Sequence, residues 1–251
     1  MGQIREVKIY GERNTGTNYL SELIKANIQV KVLPGKAPFH IQIKEKLTSG
    51  SESSRDAYFK ETFEDNLGWK HTKVDVHELK DVKKFEQVGF LCLVKNPYSW
   101  LVSLHRSPHH FEGIEMGEFE DFLSRKDLMV LGRDNISTAR MSAVELWNQK
   151  NGSYQKLAQE PQGILIKYED LVKEPHEIIR RIASEFELDM KDEEVTNILK
   201  STKSANQKSY QDYRTYYQDE MWKEKFTSET IGIVNNQLDA ELVLNLGYTL
   251  L

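Results

Sequence analysis

The segment Val7-Lys8-Ile9-Tyr10-Gly11-Glu12-Arg13-Asn14-Thr15-Gly16-Thr17-Asn18-Tyr19-Leu20 decides the fold. An apolar strand enters a tight turn of Gly, Asn and Thr and passes straight into an amphipathic helix, with Leu20, Leu23 and Ile24 at its apolar positions. A strand, turn and helix in this order aim free backbone N–H groups at one point on the positive end of a helix dipole, which makes an anion site. The spacing Gly11-x-x-x-x-Gly16 is half of the phosphate loop of nucleoside-triphosphate enzymes. The Lys-Ser/Thr pair that completes that loop is replaced by Thr17-Asn18. A cradle without the lysine and the magnesium hydroxyl points to a nucleotide other than a magnesium-bound triphosphate.

Working outward, five strands are predicted at about 4–10, 28–33, 66–71, 88–94 and 163–168, with helices between most of them. That alternation defines an α/β protein with a central, mainly parallel sheet flanked by helices. The length of 251 residues fits one domain across 1–251. Residues 34–65, with Ser49-Gly50-Ser51-Glu52-Ser53-Ser54 at their tip, form a long excursion between elements, either a substrate lid or a disordered loop. Residues 107–160 look largely helical, an amphipathic helix carries Ile178, Ile179, Ile182, Ala183 and Phe186, and a further helix is expected over 228–246.

A second strand-to-helix turn follows the fourth strand at Lys95-Asn96-Pro97-Tyr98-Ser99. Asn96 is a good N-cap and Pro97 sits at the first helical position, so a second helix N-terminus opens there. Parallel strands bring both turns to the same sheet edge.

Composition narrows the classes. Hydrophobic residues make up 39% and charged residues 29%, a globular rather than a disordered balance. The formal net charge of −5 argues against a surface that grips nucleic acid, so an anionic ligand must be held by a local constellation. No apolar run reaches the roughly 20 residues of a membrane span, and the N-terminus shows no leader pattern, so a cytoplasmic protein is expected. The single cysteine, Cys92, lies in an apolar strand and reads as a buried inert thiol. His109 and His110 are adjacent and lack the spacing for two ligands on one helical face, and no metal is expected.

These two turns and the fifth strand resemble the sulfotransferases that use 3′-phosphoadenosine 5′-phosphosulfate (PAPS). The resemblance rests on residues 7–20, 69–72, 90–106 and 163–183. It implies that Asn14-Thr15-Gly16-Thr17-Asn18 cradles the 5′-phosphosulfate and that Tyr19 stacks on adenine. Lys95 and Ser103 match, at the family's eight-residue spacing, the pair that binds the 3′-phosphate, with Lys in place of Arg. That exchange keeps the charge and loses the bidentate fork. Lys167-Tyr168-Glu169-Asp170-Leu171 is similar to the aromatic-Glu-Asp-Leu signature, in which the Tyr contacts adenine. Trp222-Lys223 and Phe226-Thr227 resemble a weaker C-terminal pattern whose upstream Arg-Lys-Gly triplet is absent; Arg214 is the candidate substitute.

The activity so implied is in-line transfer of a sulfuryl group from PAPS to an acceptor hydroxyl or amine, releasing 3′,5′-ADP. The acceptor would be a small molecule or a carbohydrate, and fixed cations would replace a metal. His71, at the end of Gly68-Trp69-Lys70-His71-Thr72, is the candidate base, and a carboxylate of the 34–65 excursion is its rival. Asn14 stands where relatives carry the Lys or Arg that stabilises the leaving phosphate. Arg13 or Lys70 must supply that charge, and Arg13, within the loop itself, is favoured. Two other readings remain: an atypical P-loop phosphotransferase, and a non-catalytic member of the fold that binds nucleotide or carbohydrate.

Overall fold

The computed structural model describes residues 2–47, 53–109, 116–138, 140–199 and 209–251. The elements in chain order are β1 (Glu6–Tyr10), α1 (Thr17–Asn27), β2 (Lys31–Val32), α2 (Phe39–Leu47), α3 (Ser53–Glu61), α4 (Phe63–Asn66), α5 (Val76–Lys80) and β3 (Val88–Val94). Next come α6 (Pro97–Arg106), α7 (Phe119–Ser124), β4 (Leu128–Met129), β5 (Arg140–Met141), α8 (Ala143–Ala158), β6 (Gly163–Lys167), α9 (Tyr168–Lys173) and α10 (Pro175–Glu185). The chain ends with α11 (Tyr210–Gln218), α12 (Ser228–Asn235) and α13 (Ala240–Asn245).

The main sheet has the order β2-β1-β3-β6, all parallel, with Ile9 opposite Leu91 and Leu91 opposite Ile164. Every residue of β3 is buried, as expected for a central parallel strand covered on both faces. Its side chains alternate between two cores. Val88, Phe90, Cys92 and Val94 join Trp100, Trp147 and Leu146 of α6 and α8 on one face. Leu91 and Leu93 join Leu20, Leu23 and Ile24 of α1 and Ile178, Ile179 and Ile182 of α10 on the other. The result is a helix–sheet–helix sandwich, the α/β architecture read from the sequence. Burial pushes the Cys92 thiol well above its ordinary range, so it is an unreactive core residue.

The predicted third strand at 66–71 does not exist. Phe63–Asn66 is helical, and Leu67 and Gly68 follow in the left-handed region at φ 59° and 77°, which no strand tolerates. Side chains of β1 take the carbonyls a ladder would use. Lys8 Nζ donates to Pro34 O, Asn66 O and Gly68 O, and Tyr10 OH donates to Leu67 O. One backbone bond, Gly11 N–H to Lys70 O at 3.0 Å, ties the segment beside the end of β1. The expected strand at 28–33 shrinks to Lys31–Val32, with Ile28 bridging Met190 instead. Residues 107–160 are less helical than expected, since β4 and β5 form a hairpin between α7 and α8. The predicted tail helix is two helices, α12 and α13. The centre of the serine-rich tip, residues 48–52, lies outside the described residues, as does His110.

Gly163 marks a close approach of β6 to the end of α8. An added Cβ would meet the Leu157 carbonyl oxygen and lie 2.7 Å from Ala158 Cα. Gly163→Ala should therefore destabilise the protein by about 1–3 kcal/mol through overpacking, read as a lower urea midpoint at unchanged slope; an unaltered midpoint would show that the α8–β6 junction yields freely.

Candidate active site

The site lies at the C-terminal edge of the sheet, between β1 and β3. From β1 the chain crosses to β2 on one side, while β3 and β6 lie on the other, so this is the switch point at which open α/β sheets bind ligands. Three connections converge there: residues 11–16 after β1, Lys95-Asn96 after β3, and Tyr168 after β6.

The first turn is built as a cradle. Asn14 and Gly16 both adopt left-handed backbone, at φ 65° and 86°. Thr15 Oγ1 donates to Glu12 O, which fixes the turn from within. The Asn14 side chain faces away from the cradle's centre and donates from Nδ2 to Ser107 O at 3.2 Å. Gly16 is the N-cap of α1 and offers no side-chain hydrogen bond, so the N–H groups of its first turn are not capped by the residue before them. The Tyr168 ring lies directly against Gly16; an added Cβ there would be 2.7 Å from Tyr168 Cδ2. Trp100 Nε1 donates to Arg13 O at 2.8 Å and locks the turn to α6.

The second turn departs from expectation. Asn96 Oδ1 does accept from Tyr98 N–H and Ser99 N–H at 3.0 and 3.2 Å. In addition, Glu169 Oε1 accepts from Asn96 N–H at 3.1 Å and from Ser99 Oγ at 3.2 Å. A carboxylate of the chain itself therefore occupies the N-terminus of α6, and this turn is not an open anion site. Its polar groups sit deeper. Lys95 Nζ donates to Ser103 Oγ at 2.8 Å and to Tyr217 OH at 2.7 Å, with Asn14 O at 3.4 Å. The pair read from the sequence is thus assembled, and it is only 1% and 5% exposed because Tyr217 of α11 covers it. Burial brings the Lys95 ammonium down to about 7, opposed by Glu169 and aided by Arg106.

The turn Trp69–Thr72 supplies the third wall. His71 Nδ1 bonds to the Gly11 carbonyl, so this nitrogen carries the proton and Nε2 keeps its lone pair. Burial, and then the positive charge of Lys70, hold the ring's acid form well below the ordinary histidine range. Lys70 Nζ donates to Asn18 Oδ1 at 2.6 Å; burial and the charges of Lys36 and Lys25 bring it down to about 7. The Arg13 guanidinium packs on the Trp69 ring at 4.6 Å, and the Trp69 ring meets His71 edge-on at 4.9 Å. Behind them the fully buried Lys150 pairs with Glu12 and Asp134 and donates to His71 O.

Arg13, Asn14, Gly16, Thr17, Asn18, Lys70 and His71 line one cavity of about 480 Å³. The structure thus brings the cradle, both candidate cations and the candidate base together. Lys95 and Ser103 adjoin it beneath Asn14 and Tyr217. Tyr19 and Arg214 are placed differently. Tyr19 OH donates to Asn197 Oδ1 at 2.7 Å, and its ring packs with the α1–α10 core. Arg214, on α11, has a buried Nε without a hydrogen-bond partner and does not line the cavity. Trp222 and Phe226 pack around Tyr98. Tyr217, Lys36, Arg55 and Arg133 escaped the sequence reading. Tyr217 had been weighed only as part of a packed tyrosine face, and the three cations lie in segments with no motif. Among the described residues no group of three or more His, Cys, Asp or Glu is placed to hold a metal ion, and no helix is long and apolar enough to cross a membrane.

An uncapped helix N-terminus at a sheet switch point, ringed by cations and a neutral imidazole, defines an anion-binding α/β protein with groups suited to group transfer. The family model of the sulfotransferase domain matches residues 5–244, and the chain belongs to that family. Among solved structures it is similar to the sulfotransferase domain of the olefin synthase of Synechococcus PCC 7002, at 14% identity over 94% of this chain and 96% of that one, with a TM-score of 0.48. It is also similar to a sulfotransferase domain from the curacin biosynthetic pathway, at 13% identity over 99% of both chains, with a TM-score of 0.45. No curated protein matches it.

Proposed function

We propose that this chain transfers a sulfuryl group from PAPS to an acceptor hydroxyl or amine. The observation that carries the reading is the convergence, in a family member, of the uncapped α1 N-terminus with the Lys95–Ser103 pair, two anion-binding groups on opposite sides of Asn14. A nucleotide bearing both a 5′-phosphosulfate and a 3′-phosphate fits that pairing. Asn14, Thr15, Gly16, Thr17 and Asn18 would hold the 5′ end, Lys95 and Ser103 the 3′-phosphate, and Tyr168, against Gly16, the base. Tyr19 and Arg214 are not assigned to the nucleotide, because their side chains are turned to other partners or lie off the cavity. A phosphate oxygen would replace the Tyr217 hydroxyl as the partner of Lys95, so α11 must yield when the nucleotide enters.

When bound, the donor supplies an activated sulfuryl group: the acceptor oxygen bonds to sulfur as the bridging sulfur–oxygen bond breaks and 3′,5′-ADP keeps the electron pair. His71 Nε2, left unprotonated by the Nδ1 bond to Gly11 O, receives the acceptor proton. Arg13 and Lys70 place positive charge beside the cradle where Asn14 provides none, the preorganised electrostatics that dominates such sites. Among the described residues lining the cavity there is no carboxylate, which favours His71 over an acidic base. The protein is read as one catalytic domain with residues 34–65 as an acceptor-side cover.

Calorimetric titration with 3′,5′-ADP, 5′-AMP and ATP with magnesium tests the reading. Binding of 3′,5′-ADP well ahead of the others is expected, and preference for magnesium ATP would overturn it. The same titration should depend on pH. Below about 7 Lys95 is already charged; above it the free protein must take up a proton to meet the 3′-phosphate. Affinity for 3′,5′-ADP should therefore fall as pH rises from 7 to 9, by about tenfold per unit at the steepest. The decline for 5′-AMP should be shallower, and parallel curves would remove Lys95 from the nucleotide site.

A further inference from the structure

The cavity holds more positive charge than the donor needs. Five cations line it: Arg13, Lys36, Arg55, Lys70 and Arg133. No carboxylate is found among its described lining residues, although the chain as a whole carries a formal charge of −5. Arg13 and Lys70 flank the cradle and serve the donor. The other three come from unrelated segments: Lys36 from the turn after β2, Arg55 from α3, and Arg133 from the short turn Gly132–Asp134.

These three are not scattered surface charges. Arg133 is 7% exposed, its guanidinium lies 4.6 Å from the Trp69 ring, and Asp56 Oδ1 accepts from its Nη1 at 2.8 Å. Asp56 reaches it from the far side, where it lines a neighbouring cavity of about 420 Å³ rather than this one. Lys36 is near enough to Lys70 to help lower its proton affinity, a direct sign of uncompensated positive potential. Phe59 and Trp69 give the same space an aromatic floor. A field of one sign in a cleft with low-dielectric walls selects ligands of the opposite sign.

Building on the sulfotransferase reading, we propose that the acceptor is itself an anion, a hydroxyl compound bearing a carboxylate or sulfate that Lys36, Arg55 and Arg133 bind while its hydroxyl faces His71. The cradle and the acceptor end then hold separate negative charges, and the cations between them offset the repulsion. Neutral phenols and neutral sugars of the same shape are disfavoured, because they leave these cations without a counter-charge.

Matched pairs test this. The protein, saturated with 3′,5′-ADP, is titrated with 4-hydroxybenzoate against 4-hydroxybenzyl alcohol, and with p-nitrophenyl glucuronide against p-nitrophenyl glucoside. Each pair exchanges a carboxylate for a hydroxymethyl group on one scaffold. The anionic member should bind at least about tenfold more tightly in one pair or both, the scale of a charge-assisted hydrogen bond. In the Lys36→Gln/Arg55→Gln double variant, which leaves the buried Arg133–Asp56 pair intact, that ratio should collapse to about two. Equal affinities in both pairs overturn the proposal, as does a preference that survives the double variant. Should 3′,5′-ADP itself fail to bind, the sulfotransferase reading falls, and the same ratio measured without nucleotide still decides whether these cations select an anion.

Discussion

Replacing His71 with alanine is expected to lower sulfuryl-transfer turnover by about 10²–10⁴-fold, the span of a lost general base, while affinity for 3′,5′-ADP stays within about twofold. The split follows from geometry. His71 touches the cradle only through its bond to the Gly11 carbonyl, and its ring lies on the Trp69 side of the cavity. Labelled PAPS with the acceptor selected by the matched pairs gives the rate, and calorimetry gives the affinity. The pH profile adds a second readout. Catalysis needs the neutral ring, and burial with Lys70 nearby holds the acid form well below the usual value. The wild-type rate should therefore persist below about pH 6.5, the unperturbed histidine value. Unchanged turnover in the variant would transfer the role to another group.

The second large effect concerns Lys95. Lys95→Met should weaken 3′,5′-ADP binding by at least about 30-fold, as expected when one partner of a buried charged pair is truncated, with 5′-AMP affected by no more than about threefold. Methionine keeps the volume of the stem, so the packing against Tyr168 and Tyr217 survives. Lys95→Arg should retain most of the affinity, because charge rather than the amine is required. Equal losses for both nucleotides would mean that Lys95 supports the turn instead of binding the 3′-phosphate.

Much of this site is local in sequence and was legible there. The cradle depends on neighbouring residues, Gly11 to Asn18, and Lys95 meets Ser103 across two helical turns. What escaped reading depends on chain-distant partners. The segment 66–71 has the apolar character of a strand, and the side chains of Lys8 and Tyr10, about sixty residues earlier, claim its carbonyls. The second helix N-terminus looked open because Glu169, which fills it, lies beyond β6. Tyr217 reaches Lys95 from 122 residues away. Arg133 carries no motif; only the Trp69 ring and Asp56 give its position meaning.

The buried Lys150 has a consequence for how the reaction centre comes together. Its ammonium holds Glu12, which in turn accepts from Arg13 N–H at 2.6 Å; it also holds Asp134 and the backbone carbonyl of His71. The phosphate-side loop and the proton acceptor are thus fastened to one atom and cannot drift apart independently. Their relative placement is settled during folding, before any ligand arrives, so little ordering entropy is left to be lost at the moment of reaction. Adaptation to the ligand is left to α11 and its tyrosine, which makes nucleotide entry, rather than assembly of the base against the donor, the step that depends on motion.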